Sequence, residues 1–510
     1  MKLKRLRSIL FLLLAGCILF SCTGKQSGQQ KHSQEAFEKP NIIFILVDDL
    51  GYGDLGCFGQ TKIQTPNIDH LAEEGITFTR AYAGNAVCAP SRSCLMEGKH
   101  PGHARVRGNM INGYRESLRE GDYTVAMMLQ EAGYKTGLFG KWGLGLHNQY
   151  GVPNKMGFDE FFGYLNQRHA HCHYPEFLYH NDQRVYYPEN GEHHKMENYG
   201  GIQAYDEKGI CHPLGIENPA EAKYAFDEYN NKSLEFIRRN RDRPFFLYLA
   251  YTPPHGSFIV PELGTYTQKD WALSHKVYAA MITRVDNEVG KLFRLLEELN
   301  IDDNTLILFA SDNGNTNGNA RAEEISTPVY FNNESPTRGG KGSSYDGGFH
   351  VPAIAWWKAH IRPDQVSDHI WAFWDFMPTA AELAGVDPPE DNHGISFLPV
   401  LLGETENQQK HDYLYWEFSG IQSVRMDDWF GYKPGSGKLE LFNLVSDPGQ
   451  EKDVSARHPE VARKITEIMV REHSPSDVWP SPGETAEAFK IRLEQLGITQ
   501  SDRPENVADF

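Results

Sequence analysis

Unbroken apolar runs, rather than alternating ones, mark the strands of this chain. Asn41-Ile-Ile-Phe-Ile-Leu-Val47, Phe245-Phe-Leu-Tyr-Leu-Ala250, Thr305-Leu-Ile-Leu-Phe-Ala310 and Pro352-Ala-Ile-Ala-Trp-Trp357 offer no polar face. Such runs predict strands buried on both sides, as in a parallel sheet covered by helices. Between them the period changes. From Tyr278 the apolar positions 278, 282, 285, 289, 292, 296 and 299 alternate steps of four and three, one stripe of a long helix. Thr65 as N-cap, Pro66 at N1 and Gly75 as the stop predict a helix to about Glu74. Thr124 to Ala132 predicts another, stopped by Gly133. Strands alternating with helices define an α/β fold: a large mixed, mainly parallel sheet sandwiched by helices, over residues 40–385.

Beyond residue 385 the texture changes. Tyr413–Phe418, Ile421–Met426 and Lys438–Asn443 are short strands between turns, predicting a smaller C-terminal antiparallel subdomain over 386–475. It ends in a helix near Pro459–His473, and 476–510 is a Pro-rich tail. Gly151–Ala222 is rich in aromatics, His and Gly, with little periodicity, and is expected to shape a pocket. At the other end, four cations in Met1–Arg7 precede an apolar run from Ile9 to Phe20, too short for the ~20 residues of a membrane-spanning helix. The run closes on Leu19-Phe-Ser-Cys22, which resembles a bacterial lipobox, and polar chain follows. Residues 1–22 then form a lipoprotein signal peptide with Cys22 as the acylated residue, and 23–39 a tether. Leu14-Ala-Gly-Cys17 matches as well locally, but more apolar chain follows Cys17. The expectation is export by the lipoprotein machinery and a lipid anchor in the bacterial envelope, periplasmic or outer-membrane. A cleaved signal without lipid is the plainer alternative.

Composition narrows the function. The 510 residues carry 50 Lys+Arg against 68 Asp+Glu, a formal net charge of −18, which opposes nonspecific nucleic-acid binding. An anionic small substrate remains compatible if cations are gathered locally. Hydrophobic residues at 40% exclude wholesale disorder, and seven cysteines over this length make no disulfide scaffold.

The chemistry concentrates at strand ends, where ligands of open α/β sheets bind. Asp48-Asp49 lies just past the first strand and Asp312-Asn313-Gly314 just past the 305–310 strand. Together they offer three carboxylates and an amide oxygen, a set suited to a hard divalent cation, Ca²⁺ or Mg²⁺, rather than zinc. Each pair alone reads equally well as a turn starter. Cys88-Ala-Pro-Ser-Arg92, continuing Ser-Cys-Leu-Met-Glu-Gly98, puts a cysteine near a helix start, where the dipole favours a thiolate or a bound anion.

This pentapeptide resembles the Cys-x-Pro-Ser-Arg signature of the type I sulfatases, in the alkaline phosphatase superfamily. Pro40-Asn-Ile-Ile-Phe-Ile-Leu-Val-Asp-Asp-Leu-Gly-Tyr-Gly-Asp54 is similar to that family's opening strand and metal turn. Thr65-Pro-Asn-Ile-Asp69, Gly140-Lys-Trp142, Ser311-Asp-Asn-Gly314, Gly339-Gly-Lys-Gly342 and Leu441-Phe-Asn-Leu-Val-Ser-Asp-Pro-Gly449 follow in the family's order, so the resemblance spans about residues 40–475.

The resemblance implies an alkaline phosphatase-like fold and an arylsulfatase-like sulfuric ester hydrolase acting on sulfated saccharide. It implies that a formylglycine-generating enzyme oxidises Cys88 to Cα-formylglycine. The implied metal is Ca²⁺, with Mg²⁺ the alternative, held by Asp48, Asp49, Asp312, Asn313 and an oxygen of modified Cys88. One hydroxyl of the hydrated aldehyde attacks sulfur, and the other collapses to aldehyde and expels sulfate. Arg92 pins the hydrate, Lys141 and Lys341 bind sulfate, and Lys341 or His255 serves the leaving oxygen.

Two positions depart from the family pattern. Gly143 stands where many members carry a histidine that helps deprotonate the hydrate, and Glu97 stands where threonine is usual. Replacement bases are His147 or the cluster Arg168-His169-Ala-His171-Cys172-His173, whose alternating histidines would share one face of a strand. That cluster reads as pocket lining, ordinary surface or a zinc site. Two other functions compete: a phosphonate monoester or phosphodiester hydrolase of the same superfamily, and an inactive lipoprotein that binds sulfated glycans. Retention of Cys88, Arg92 and all four metal ligands counts against inactivity.

Overall fold

A computed structural model describes residues 38–112, 114–191, 204–213, 215–316 and 330–498. The predicted signal peptide with Cys17 and Cys22, and the tether as far as residue 37, lie outside the described residues.

The strands in chain order are β1 Asn41–Asp48, β2 Ile76–Tyr82, β3 Lys135–Lys141, β4 Glu160–Tyr164, β5 Phe177–His180 and β6 Gln183–Tyr186. A short hairpin, β7 Ala204–Tyr205 and β8 Cys211–His212, precedes β9 Phe245–Pro254 and β10 Thr305–Ser311. Then come β11 His350–Trp356, β12 Gln365–Ser367 and β13 Trp371–Ala372. The last four are β14 Leu414–Phe418, β15 Ile421–Met426, β16 Trp429–Lys433 and β17 Glu440–Asn443.

The main sheet runs β12-β2-β11-β10-β1-β9-β3-β4-β5-β6, with β13 beside β2. Its centre, β10-β1-β9-β3-β4, is parallel throughout, so five carboxyl ends lie side by side. Every residue of β1 is buried because both faces are covered, which is why it reads as an unbroken apolar run. The first five helices are α1 Pro66–Glu73, α2 Cys88–Glu97, α3 Val125–Glu131, α4 Ala225–Asn240 and α5 Leu273–Glu298, and Ile43, Ile45 and Val47 join the cluster under α1, α4 and α5. Phe44 faces the other way, against Phe376 of the helix Phe376–Ala384, with ring centroids 4.9 Å apart.

The strand at 350–356 is antiparallel to β10 and β2, so the sheet is mixed, as expected. Three expectations need correcting. Gly151–Ala222 is not simply a loop, since β4 to β8 fall within it. The tail holds a helix, Ala486–Gln495, anchored where Arg492 binds the Glu484 carboxylate at 2.7 Å. Thr65 does not cap α1 with its side chain; the Asp286 carboxylate of α5 accepts from Ile68 N at 2.8 Å and Asn67 Nδ2 at 2.6 Å.

The small sheet β14-β15-β16-β17 is antiparallel throughout, with β16 an additional strand unseen in the sequence pattern. Trp416 of β14 locks it to the main body. Its ring stacks on Phe349 at 4.6 Å, and its indole N–H donates to Ala83 O at 3.1 Å.

Candidate active site

Adjacent parallel strands deliver the polar groups in spatial order. β10 leads into Asp312 and Asn313, β1 ends on Asp48 and continues to Asp49, β9 leads into His255, and β3 ends on Lys141. The helix α2, Cys88–Glu97, begins at the cysteine itself, and all ten of its residues are buried. Cys88 Sγ lies 3.4 Å from Asp48 Oδ1. One turn on, Arg92 points at the same edge. Its Nη2 and Nε reach Asp312 Oδ2 at 2.9 and 3.2 Å, and Nη1 donates to Lys141 O at 2.6 Å.

Three cations therefore neutralise three carboxylates. Lys141 Nζ donates to Asp48 Oδ2 at 2.5 Å, and Lys341 Nζ to Asp49 Oδ2 at 2.7 Å. Lys341 arrives on the 339–342 turn, fixed by its own N–H to Asn315 O and by Gly342 N–H to Ala86 O. His255 Nε2 stands 3.6 Å from the same Asp49 oxygen.

Burial and charge set the protonation states. Burial raises the Asp48 carboxyl, but cations beside it, Lys141 first and Arg92 with it, outweigh burial and hold the group well below the usual range. Asp312 is pushed up to about 7 by burial and by Asp48, against the pull of Arg92. Burial, with Lys341 beside it, pushes His255 well below the usual imidazole value, and burial and His255 do the same to His171. Both rings are neutral at neutral pH. The Cys88 thiol is pushed up to about 12 by burial and the Asp48 carboxylate, so the thiolate expected from the helix dipole does not form.

The residues fit a hard metal ion. Asn313 Nδ2 donates to Asp49 Oδ1 at 2.9 Å, while its Oδ1 is buried with no partner among the described residues. Buried polar atoms are normally satisfied, and a cation beside three carboxylates supplies what that oxygen lacks. Asp48, Asp49, Cys88 and His255 each bring a potential ligand atom within 4.8 Å of the others. Cys88 itself fits conversion to an oxygen donor, because its Sγ already faces the carboxylate.

The histidine cluster is not a strand face. His169–His171 is a 3₁₀ turn, so neighbouring rings diverge. His171 stacks on His255 with centroids 4.2 Å apart. His169 packs on Tyr164 and Phe177 and is lowered to about 3 by burial, a core residue rather than a substrate contact. His173 donates to His255 O at 3.2 Å. These directions do not converge on a zinc ion. His147 stacks on Tyr179 at 5.5 Å rather than on the cluster, and Arg168 is half-buried and adds to the burial that lowers the Arg115 guanidinium.

Asn166, Gln167 and Asn315 escaped the sequence reading. Asn166 Nδ2, Gln167 Nε2 and both side-chain polar atoms of Asn315 are buried without partners among the described residues. The first two follow the carboxyl end of β4, whose neighbour β3 delivers Lys141. Recognising β4 as a parallel strand would have flagged them. Gln167 also explains Gly143: φ there is +83°, and a Cβ would come within 2.8 Å of the Gln167 side chain. Gln167 takes the space into which a residue at 143 would project.

A buried cysteine at a helix start, an oxygen-donor cradle that fits a metal ion and three converging cations suit a hydrolase of anionic esters. The chain belongs to the sulfatase family, whose model matches residues 40–386, and it is a sulfuric ester hydrolase. A second model, N-sulphoglucosamine sulphohydrolase C-terminal, matches residues 340–472. The chain is 31% identical over 490 residues to human N-acetylgalactosamine-6-sulfatase, with 87% of each chain covered. It is 28% identical to the N-acetylgalactosamine-6-O-sulfatase of Bacteroides thetaiotaomicron, over 92% of this chain and 99% of that one. The crystal structure of Ps i-CgsB has a TM-score of 0.71 at 28% identity, covering 91% of this chain and 99% of that one. Ps i-CgsB is also known in complex with k-i-k-neocarrahexaose.

Proposed function

We propose that this enzyme removes sulfate from sulfated carbohydrates, using formylglycine made from Cys88 and a bound divalent cation, Ca²⁺ in preference to Mg²⁺. The observation that carries the reading is the meeting of Arg92, Lys141 and Lys341 at three neighbouring carboxylates, beside a buried cysteine whose own thiol is held protonated. A cysteine in that state is a poor nucleophile as it stands.

When present, the cation withdraws charge from the sulfuryl oxygens and the aldehyde hydrate supplies the attacking hydroxyl. Asp48, Asp49, Asp312 and Asn313 would hold the cation. Arg92, locked to Asp312 and Lys141 O, fixes the start of α2 and hence the position of residue 88. Lys141 and Lys341 lie where a sulfate's oxygens can replace the carboxylate oxygens they now hold. Lys341 keeps its proton, because Asp49 and the neighbouring acids outweigh its burial, and it donates to the leaving sugar oxygen. His255 gives its Nδ1 proton to Gly256 O, which leaves Nε2 as an acceptor facing the site. His171, neutral and stacked on His255, accepts the hydrate proton in place of the histidine missing at Gly143.

Two relatives are named for N-acetylgalactosamine 6-sulfate, which makes that ester the first substrate to test. Sulfate release is to be measured on defined sulfated mono- and disaccharides with matched phosphate esters. The reading expects release from at least one sulfated sugar and little from its phosphate counterpart; the reverse preference overturns it. Export as a lipoprotein acylated at Cys22 completes the proposal, supported by the polar tether after that cysteine. Cys22→Ala should move the protein from the membrane to the soluble fraction, and release by Cys17→Ala instead would reassign the anchor.

A further inference from the structure

α2 carries Cys88 at its first residue, and ten residues later its far end is capped by Gly98 in the left-handed conformation. About 15 Å of helix thus separates that end from the active site. There Lys99-His-Pro-Gly-His103 forms a turn closed by His103 N–H to His100 O at 2.9 Å. The 391–394 loop is tied against it by His393 N–H to Gly98 O at 2.9 Å and by Lys99 Nζ to Asp391 at 2.5 Å. Three imidazoles from two distant segments meet at this junction. Ring centroids are 4.4 Å apart for His100 and His393, 4.7 Å for His103 and His393, and 5.1 Å for His100 and His103.

We propose that His100, His103 and His393 form a second metal site, separate from the Cys88 cluster, that takes one borderline transition ion such as Zn²⁺. One ring nitrogen from each lies within 4.8 Å of the others. Bonds of about 2.0–2.1 Å from a shared ion would draw them closer by small side-chain rotations. The donor set is all imidazole, which selects zinc-class ions over the Ca²⁺ or Mg²⁺ of an oxygen site.

Two further features suit a ligand set. His100 Nε2 stands 3.2 Å from Glu472 Oε2, the carboxylate backing that orients a metal-bound imidazole through its other nitrogen. His393 Nδ1 is buried with no partner among the described residues. Burial holds all three rings below the usual histidine value, His393 at about 3, so all are neutral at neutral pH, and the Gly102 N–H that His100 Nδ1 accepts at 3.2 Å is the bond an ion on that nitrogen replaces. His103 is exposed, which gives an ion a way in and leaves room for a water as fourth ligand. Such an ion would staple the end of the Cys88 helix to the 391–394 loop and, through Glu472, to the end of the helix Pro459–Arg471.

The test uses the described chain without its signal, stripped with chelator, reloaded with saturating Ca²⁺ and titrated with ZnCl2 in a calorimeter. One equivalent of zinc is expected in the parent protein and in Asp312→Ala. Binding should weaken at least 100-fold in His103→Gln and His393→Gln, and 10–100-fold in Glu472→Gln. Absence of zinc binding in the parent protein overturns the proposal. So does an equivalent retained in both histidine variants, which would put the zinc elsewhere. Should a variant lose its fold, anomalous scattering from a zinc-soaked crystal of the parent decides the matter. A peak between the three rings supports the site, and its absence there refutes it.

Discussion

Asn313 gives its amide N–H to Asp49 Oδ1 at 2.9 Å and keeps its own buried carbonyl oxygen unpaired. The two residues come from neighbouring strand ends, and Asp49 N–H donates in turn to Asp312 Oδ1 at 3.3 Å. Three oxygen-bearing residues, Asp49, Asp312 and Asn313, are thereby interlocked around one point. Chelation should lower both activity and Tm, and Ca²⁺ should restore both. An ion at 100 times its Kd contributes about 2.7 kcal/mol to stability. Asn313→Ala should cut sulfate release at low Ca²⁺ and recover part of it at high Ca²⁺. Calorimetry and sulfate assays on metal-free protein check this; undiminished activity without metal would contradict it.

The stacked pair His171 and His255 divides the proton traffic. His171→Ala should slow turnover and let a sulfated protein accumulate after a burst of alcohol release. His255→Ala, which removes a proton acceptor facing the site, should slow the burst itself, and Lys341→Ala should slow it most for poor leaving groups. His147→Ala and His169→Ala serve as comparisons, the first near-neutral and the second destabilised through lost packing. Rapid-quench alcohol release with intact mass separates these cases. If His171→Ala turns over normally, the substitute base is another group.

Glu97 closes the signature helix with its carboxyl buried between Ser93 Oγ and the Arg105 N–H, and burial pushes it up to about 7. Its unfolded value is near 4.5, so between these values the folded state binds more protons than the unfolded one. Stability contributed by this group is full below about pH 4.5 and lost as pH rises through 7. The swing approaches ~3 kcal/mol at most. Glu97→Gln should remove that dependence, making the variant relatively more stable at pH 8 than at pH 5. Urea unfolding of both proteins across pH 5–8 reads the difference directly, and parallel curves would refute the assignment.

The legible parts of the fold were those where one rule dominated. β1, β9 and β10 are buried on both faces, so their runs stand out and their ends expose Asp48, His255 and Asp312. β3 and β4 were not visible because Gly137, Gly140 and Gly163 interrupt their apolar character. That same gap hid Asn166 and Gln167. The motif residues meet at one sheet edge, yet the helix start at Cys88 suggested a thiolate, whereas burial beside Asp48 favours the thiol. His100 and His393 meet across nearly three hundred residues, a contact that no local pattern reports.

The most direct test of the account is multiple-turnover sulfate release by Cys88→Ser, with intact mass establishing that serine remains at that position. A serine hydroxyl can be sulfated but lacks the second hydroxyl needed to eliminate sulfate. Cys88→Ser should fold, release at most one equivalent of alcohol and then stop. Sustained turnover at the rate of the parent enzyme would contradict it.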